Sequence, residues 1–266
     1  MKRTLSLAVA LLCLAPAAHA ADLDDLDEIV RRANPAAYYA GDDGRSEARM
    51  MIEDAQGRTQ LRQFTILRKD EADGGDQHFM VFFSRPSDVR GTVFLVDKHL
   101  DRDDDRWLYL PGLDLVKRIS AGDKRTSFVG SHFFYEDVSG RNPNLDAHTL
   151  AETTGEHYVL ESRPKDPALV EFASYRTWID KATFMPMKIE YSDGGGRVYR
   201  RVETLEVQDI EGFPTTTRSK VSDLDGGGST LMEFRFIEYD VGLPADIFSE
   251  RYMRTPPVDW LKRDAG

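Results

Sequence analysis

Residues 123–140 read D-K-R-T-S-F-V-G-S-H-F-F-Y-E-D-V-S-G. Phe128, Val129, Phe133, Phe134 and Tyr135 crowd around Gly130 and Ser131, with charge on both sides. The spacing matches neither the alternation of a half-buried strand nor the period of a long amphipathic helix. Almost everything around it reads as strand. So much aromatic surface on irregular backbone has to be buried, most simply against the inside of a curved sheet, where it would form a lid or wall over a cavity. A core-filling crossover loop is the plainer alternative.

Outward from this stretch the period is two. Ala48, Met50 and Ile52 alternate with charged residues, Gln56-Gly57 turns the chain, and residues 61–67 run back as the second arm of a hairpin. Strand-like runs follow, among them residues 77–84, 91–97, 157–163, 198–207 and 230–239. Asp193–Gly196 and Asp225–Gly228 are tips suited to positive φ. About eleven strands on short turns predict a mainly β antiparallel meander with few helices. The exception lies near the start. Leu23, Leu26, Ile29, Val30 and Ala33 recur at helical spacing across residues 22–34, with Asp22 as N-cap and Asn34-Pro35 as the stop.

The first twenty residues have the form of a secretory signal: Lys2 and Arg3, a short apolar run, then Ala18-His19-Ala20 before a cut ahead of Ala21. The run is too short to span a bilayer. Residues 21–266 are then expected as one domain in the periplasm, without stable membrane insertion. That part lacks cysteine, because Cys13 sits inside the apolar run. It carries 33 Lys+Arg against 46 Asp+Glu, a formal net charge of −13. Such an acidic surface argues against nucleic-acid binding and against docking on anionic lipid headgroups.

Motifs for catalysis are weak. The turn 101–105 places carboxylates one, three and five residues along, as a calcium loop would, but Arg106 stands where the loop needs Gly. The histidines lack zinc-site spacing. Gly130-Ser131-His132 lacks the second glycine of a nucleophile elbow, and no phosphate or dinucleotide fingerprint occurs. The expectation is a protein that is not an enzyme and takes neither metal nor cofactor. A hydrolase built from scattered carboxylates and His132 stays open as an alternative. Binding, by contrast, needs no reactive group. Burying one CH₂ is worth roughly 0.8 kcal/mol, so an acyl chain of about 14 carbons offers on the order of 10 kcal/mol to a dry groove, as an upper bound.

Four segments carry a family likeness: F-S-R-P-S-D-V-R-G-T (83–92), W-L-Y-L-P (107–111), K-R-I-S (117–120) and D-K-R-T-S-F-V-G-S-H-F-F-Y-E-D (123–137). With W-I-D-K-A-T-F-M-P (178–186), they resemble the LolA-like family of outer-membrane lipoprotein-sorting proteins, in particular its uncharacterised periplasmic branch associated with RND-type exporters. The resemblance implies an unclosed β-barrel whose concave face is covered by helix and lid. It also implies a hydrophobic cavity that carries lipid or acylated protein cargo without catalysis, with an RND-type inner-membrane transporter as a partner. In that fold Leu26, Ile29 and Val30 of the helix would point inward, and Phe128, Phe133, Phe134 and Tyr135 would form lid or wall. Met50, Phe82, Phe94, Leu108 and Met187 would line the strands. Arg90, Asp123, Arg125, Glu136 and Asp137 either pin the segment by ion pairs or lie solvated. A non-catalytic adaptor of an export system, its core filled by its own side chains, is the alternative from another class.

Overall fold

A computed structural model of the protein describes residues 23–72 and 74–262; the signal-like run and Asp22 lie outside them. Among these residues thirteen strands, two more than the estimate from sequence, form one antiparallel sheet in the order β6-β5-β4-β3-β2-β1-β13-β12-β11-β10-β9-β8-β7, where β4 is Val93–Lys98, β8 His157–Pro164, β9 Ser174–Asp180, β10 Pro186–Ser192, β11 Val198–Ile210 and β12 Phe213–Asp223. Each short run proves to be a strand of its own: β5 (Asp105–Leu110) and β6 (Leu115–Ile119) pair from Arg106↔Ile119 to Leu110↔Leu115 around Pro111-Gly112. The sheet does not close. Its edges, β6 and β7 (Asp146–Thr153), are consecutive in the chain, so residues 120–145 must run from one edge to the other. That crossover holds the aromatic segment. In the middle of the sheet β1 (Asp43–Glu53) lies between β2 (Thr59–Asp70) and β13 (Ser229–Tyr239), paired with β13 from Gly44↔Tyr239 to Glu53↔Ser229 with one register shift between Arg45 and Glu47.

Alternation sorts each strand between two faces. From β3 (Gln77–Arg85), Phe79, Val81 and Phe83 join the inner cluster with Met50, Phe64, Phe94, Leu108, Phe128 and Tyr135. Met80 and Phe82 join the outer one, with Leu67, Val93 and Leu95, beneath Leu243, Ile247, Phe248 and Met253 of the C-terminal segment.

The helix α1 spans Leu26–Tyr38 and is capped by Asp25, whose carboxylate accepts from the backbone N–H of Asp27 and Glu28 at 3.0 and 3.2 Å. Contrary to the expected stop at Asn34-Pro35, the helix continues through Pro35 for another turn. Ala36 and Ala37 favour helix, and the Tyr39 N–H closes the turn on the Pro35 carbonyl at 2.9 Å. Ile29, Leu26 and Val30 pack on Tyr158, Leu160, Ile179 and Phe184, which places α1 over the β8–β9 side of the sheet.

Candidate binding groove

The aromatic segment is more regular than its sequence suggests. Ser127 and Phe134 bridge, the Phe128 N–H donates to the Phe133 carbonyl at 2.7 Å, and the Ser131 N–H donates to the Phe128 carbonyl at 3.0 Å. Val129 and Gly130 both adopt left-handed backbone, φ 47° and 78°, as a tight hairpin turn requires. A small hairpin therefore presses against the inner face. Phe128 is 1% exposed, with its ring centroid 5.4 to 6.4 Å from those of Phe64, Phe83, Phe94 and Tyr135.

Charge pins this hairpin at both ends. Arg125 bonds Glu136 at 2.8 Å and Glu171 at 2.7 Å, and Arg141 bonds Glu136 at 3.0 Å and Asp146 at 2.7 Å. Arg200 of β11 (Val198–Ile210) reaches Asp137 at 2.5 Å. Phe134 lies between two guanidinium groups, 5.1 Å from Arg125 and 4.2 Å from Arg200. At the tip, the His132 N–H donates to Thr230 Oγ1 of β13 at 3.0 Å. Arg90 and Asp123 stay local: Arg90 donates to the Ser84 carbonyl and Asp123 accepts from the Ser120 hydroxyl.

Between hairpin, helix and sheet runs a groove in two compartments. The first, about 260 Å³, is walled by Phe64, Ile66, Phe79, Val81, Met232 and Phe234 of the strands and by Phe128, Phe133 and Val138 of the crossover. The second, about 300 Å³, lies under Val30, Ala33 and Ala37 of α1; Leu160, Ile179, Ile189 and Val202 mix there with His148, Ser162, Tyr175 and Tyr191. Tyr38, Phe133, Asp137 and Met185 line both and so divide them. Three polar groups of the second compartment are engaged: His148 bonds Ser162 at 2.8 Å and the Pro143 carbonyl at 2.9 Å, and the Tyr175 hydroxyl donates to Asp146 at 2.7 Å. Burial above all, with Asp137 nearby, keeps the Tyr38 hydroxyl protonated far above its ordinary range.

A family model of an uncharacterized protein matches residues 75–255, more than half of the chain. A DUF1329 family protein from Desulfovibrio piger is 29% identical, covering 85% of this chain and 96% of its own at a TM-score of 0.78. The chain belongs to the DUF1329 family. Two further structures superpose as well. A domain from Vibrio parahaemolyticus provisionally assigned to outer membrane lipoprotein sorting is 27% identical, with a TM-score of 0.77 over 85% of this chain and 97% of that one. A LolA superfamily protein from Nitrosomonas europaea, at 21% identity, 85% and 98% coverage and a TM-score of 0.66, shares the fold. No curated protein matches the sequence.

Of the twelve residues expected in this LolA-like site, Val30, Phe128 and Phe133 line the groove. Met50, Phe94, Leu108 and Tyr135 belong to the inner cluster beneath it, and Leu26 and Ile29 hold α1 in place. Phe82 points to the outer face, one residue out of phase with Phe79, Val81 and Phe83. Met187 sits where the ladder between β9 (Ser174–Asp180) and β10 (Pro186–Ser192) shifts register, and Met185, two residues earlier, is the methionine that meets the groove. Phe134 is held among arginines. The residues missed, Phe64, Phe79, Val81 and Phe234, carry a signal only in hindsight, because F-M-V-F-F at 79–83 is apolar on both faces. The acidic turn is spent on ion pairs: Asp105 with Arg102 and Arg118, Asp104 with Arg106, Asp103 with Lys124. Ser131 donates to the Phe128 carbonyl and His132 is bonded to Thr230, so each has a partner other than its neighbour.

Proposed function

We propose that this protein is a periplasmic carrier that holds the acyl part of a lipid or of an acylated protein in the divided groove and passes it between envelope components without catalysis. The observation that carries the reading is the apolar compartment under the Phe128–Phe133 hairpin, which shares a wall of Phe133 and Met185 with a second compartment beneath α1. Each compartment is near the small end of ligand pockets, which run from about 300 Å³ upward. Side by side they offer a more apolar half and a mixed half, a division suited to an amphiphile. Likeness to a domain provisionally assigned to lipoprotein sorting supports the same cargo class. Among the described residues no helix is long and apolar enough to cross a membrane. Passage to an RND-type transporter rests on the sequence resemblance alone.

The test is native mass spectrometry of the protein purified from its own periplasm, followed by solvent extraction and lipid analysis. The expected result is a polypeptide beginning at Ala21 with a lipid of fixed stoichiometry, lost in a folded Phe133→Asp variant. A bare mass that stays unchanged after incubation with lipids and acylated peptides overturns the proposal.

A further inference from the structure

Four adjacent strands bring buried polar side chains to one end of the inner face: Arg68 on β2, Gln77 on β3, Lys98 on β4 (Val93–Lys98) and Arg106 on β5. Each arginine has its own carboxylate, Arg68 with Asp70 at 2.7 Å and Arg106 with Asp104 at 2.5 Å. The Gln77 amide donates to Asp70 at 2.7 Å and to the Tyr38 carbonyl at 2.9 Å. Lys98 is left over. It is 1% exposed, and its ammonium has no hydrogen-bond partner among the described residues; Gln77 Oε1 and Arg106 Nε are unmatched in the same way.

Three cations to two carboxylates leave one buried positive charge uncompensated, which is costly in a protein interior. Burial pulls Lys98 down to about 8, with Asp104 and Asp70 opposing that and Arg106 and Arg68 adding to it. Its company is aromatic: the ammonium lies 4.9 Å from the Tyr38 ring centroid and 5.3 Å from that of Tyr39. Tyr38 also lines both compartments of the groove, and Arg68 and Phe79 line the apolar one. Lys98 thus lies against Tyr38, a ring that itself lines both compartments.

We propose that Lys98 receives the anionic headgroup of the cargo, a carboxylate or phosphate on an acyl chain, when Tyr38 turns aside. The inference rests on the carrier reading and narrows its cargo to an anionic amphiphile. A charge-assisted hydrogen bond from Lys98 supplies the missing counter-ion. A small hydrated anion gains nothing from the apolar route, so head and chain are both required.

Binding of tetradecanoic acid, tetradecyl phosphate and methyl tetradecanoate to the wild type, Lys98→Met and Lys98→Arg, measured by displacement of a fluorescent fatty ester, tests this. One of the two anions should bind the wild type at least about tenfold tighter than the ester. That preference should vanish in Lys98→Met and survive in Lys98→Arg, while the ester binds all three alike. Whichever anion is preferred identifies the headgroup. Equal binding of acid, phosphate and ester to the wild type overturns the inference and leaves the carrier reading standing. Failure of all three to bind overturns the carrier reading itself. Lys98→Met should fold, since it removes an unpaired buried charge; if it does not, Lys98→Gln takes its place in the same comparison.

Discussion

The ring of Tyr38 lies so close to Gly140 that a Cβ on Gly140 would fall 2.3 Å from Tyr38 Cζ. The contact joins the last turn of α1 to the end of α2 (Tyr135–Ser139), the short helix that follows the aromatic hairpin. Helix and crossover, the two covers of the groove, are thereby locked at one point. Gly140 also has φ 76°, a conformation that L side chains resist.

Gly140→Ala must therefore displace Tyr38 as well as strain the backbone. The expected loss is about 2–4 kcal/mol, or on the order of 5–10 °C in melting temperature for a domain of this size. Amide exchange should quicken over residues 34–40 while the β1–β3 strands stay protected. An alanine variant with unchanged melting and exchange would show that the lock contributes nothing.

Phe128 and Phe133 are neighbours on one hairpin with different work to do. Phe128 is fully buried among four aromatic rings, and Phe128→Ala should cost about 3–5 kcal/mol. Phe133 is half-buried and divides the compartments. Phe133→Ala should cost less, and by merging the compartments it should shift binding toward longer acyl chains. A chain-length series of fatty acids against wild type and variant checks this; the same length preference in both would refute the dividing role.

Much of this architecture can be read from alternation and turns, because an antiparallel strand with one packed face and one wet face, on short connections, writes its period into the chain. The hairpin of β1 and β2, the Gly-rich tips and the apolar stripe of α1 all appear where the pattern puts them. The groove was harder to read. Where β3 is apolar on both faces, period two gives no direction, so Phe82 and Phe79 exchange places. A bulge at Met187 defeats register counting for the same reason. Charge is the deeper limit: Arg68, Lys98, Arg106 and Arg200 look like any solvated residue in sequence, yet all four are buried. Only the sheet's curvature puts them inside.

Glu136 shows what such burial is for. Its side chain is 2% exposed and faces Arg125 at 2.8 Å, Arg141 at 3.0 Å and Lys124 at 3.8 Å. Glu136→Gln leaves three cations around a neutral group, and should cost about 3–5 kcal/mol by urea denaturation. Glu171→Gln, removing a carboxylate that is 40% exposed, should cost less because Arg125 retains Glu136. The reverse order would mean that Glu171, rather than Glu136, anchors the crossover.

His78 links stability to pH at the opposite face. Its Nδ1 lies 2.7 Å from Asp97, its Nε2 lies 2.9 Å from Glu71, and its ring stacks on Phe248 at 5.4 Å. The hydrogen bond to Asp97, first of all, raises its pKa above the ordinary 6.5, with burial opposing and the charges of Asp97 and Glu71 helping. A raised pKa means that the folded state holds the proton more tightly than the unfolded chain does. The stabilisation is therefore complete below pH 6.5 and fades as pH climbs through the raised value. The melting difference between wild type and His78→Gln should be larger at about pH 5.5 than at about pH 9. An equal difference at both would assign His78's contribution to its packing on Phe248 and its neutral hydrogen bonds, and remove the charge from the account.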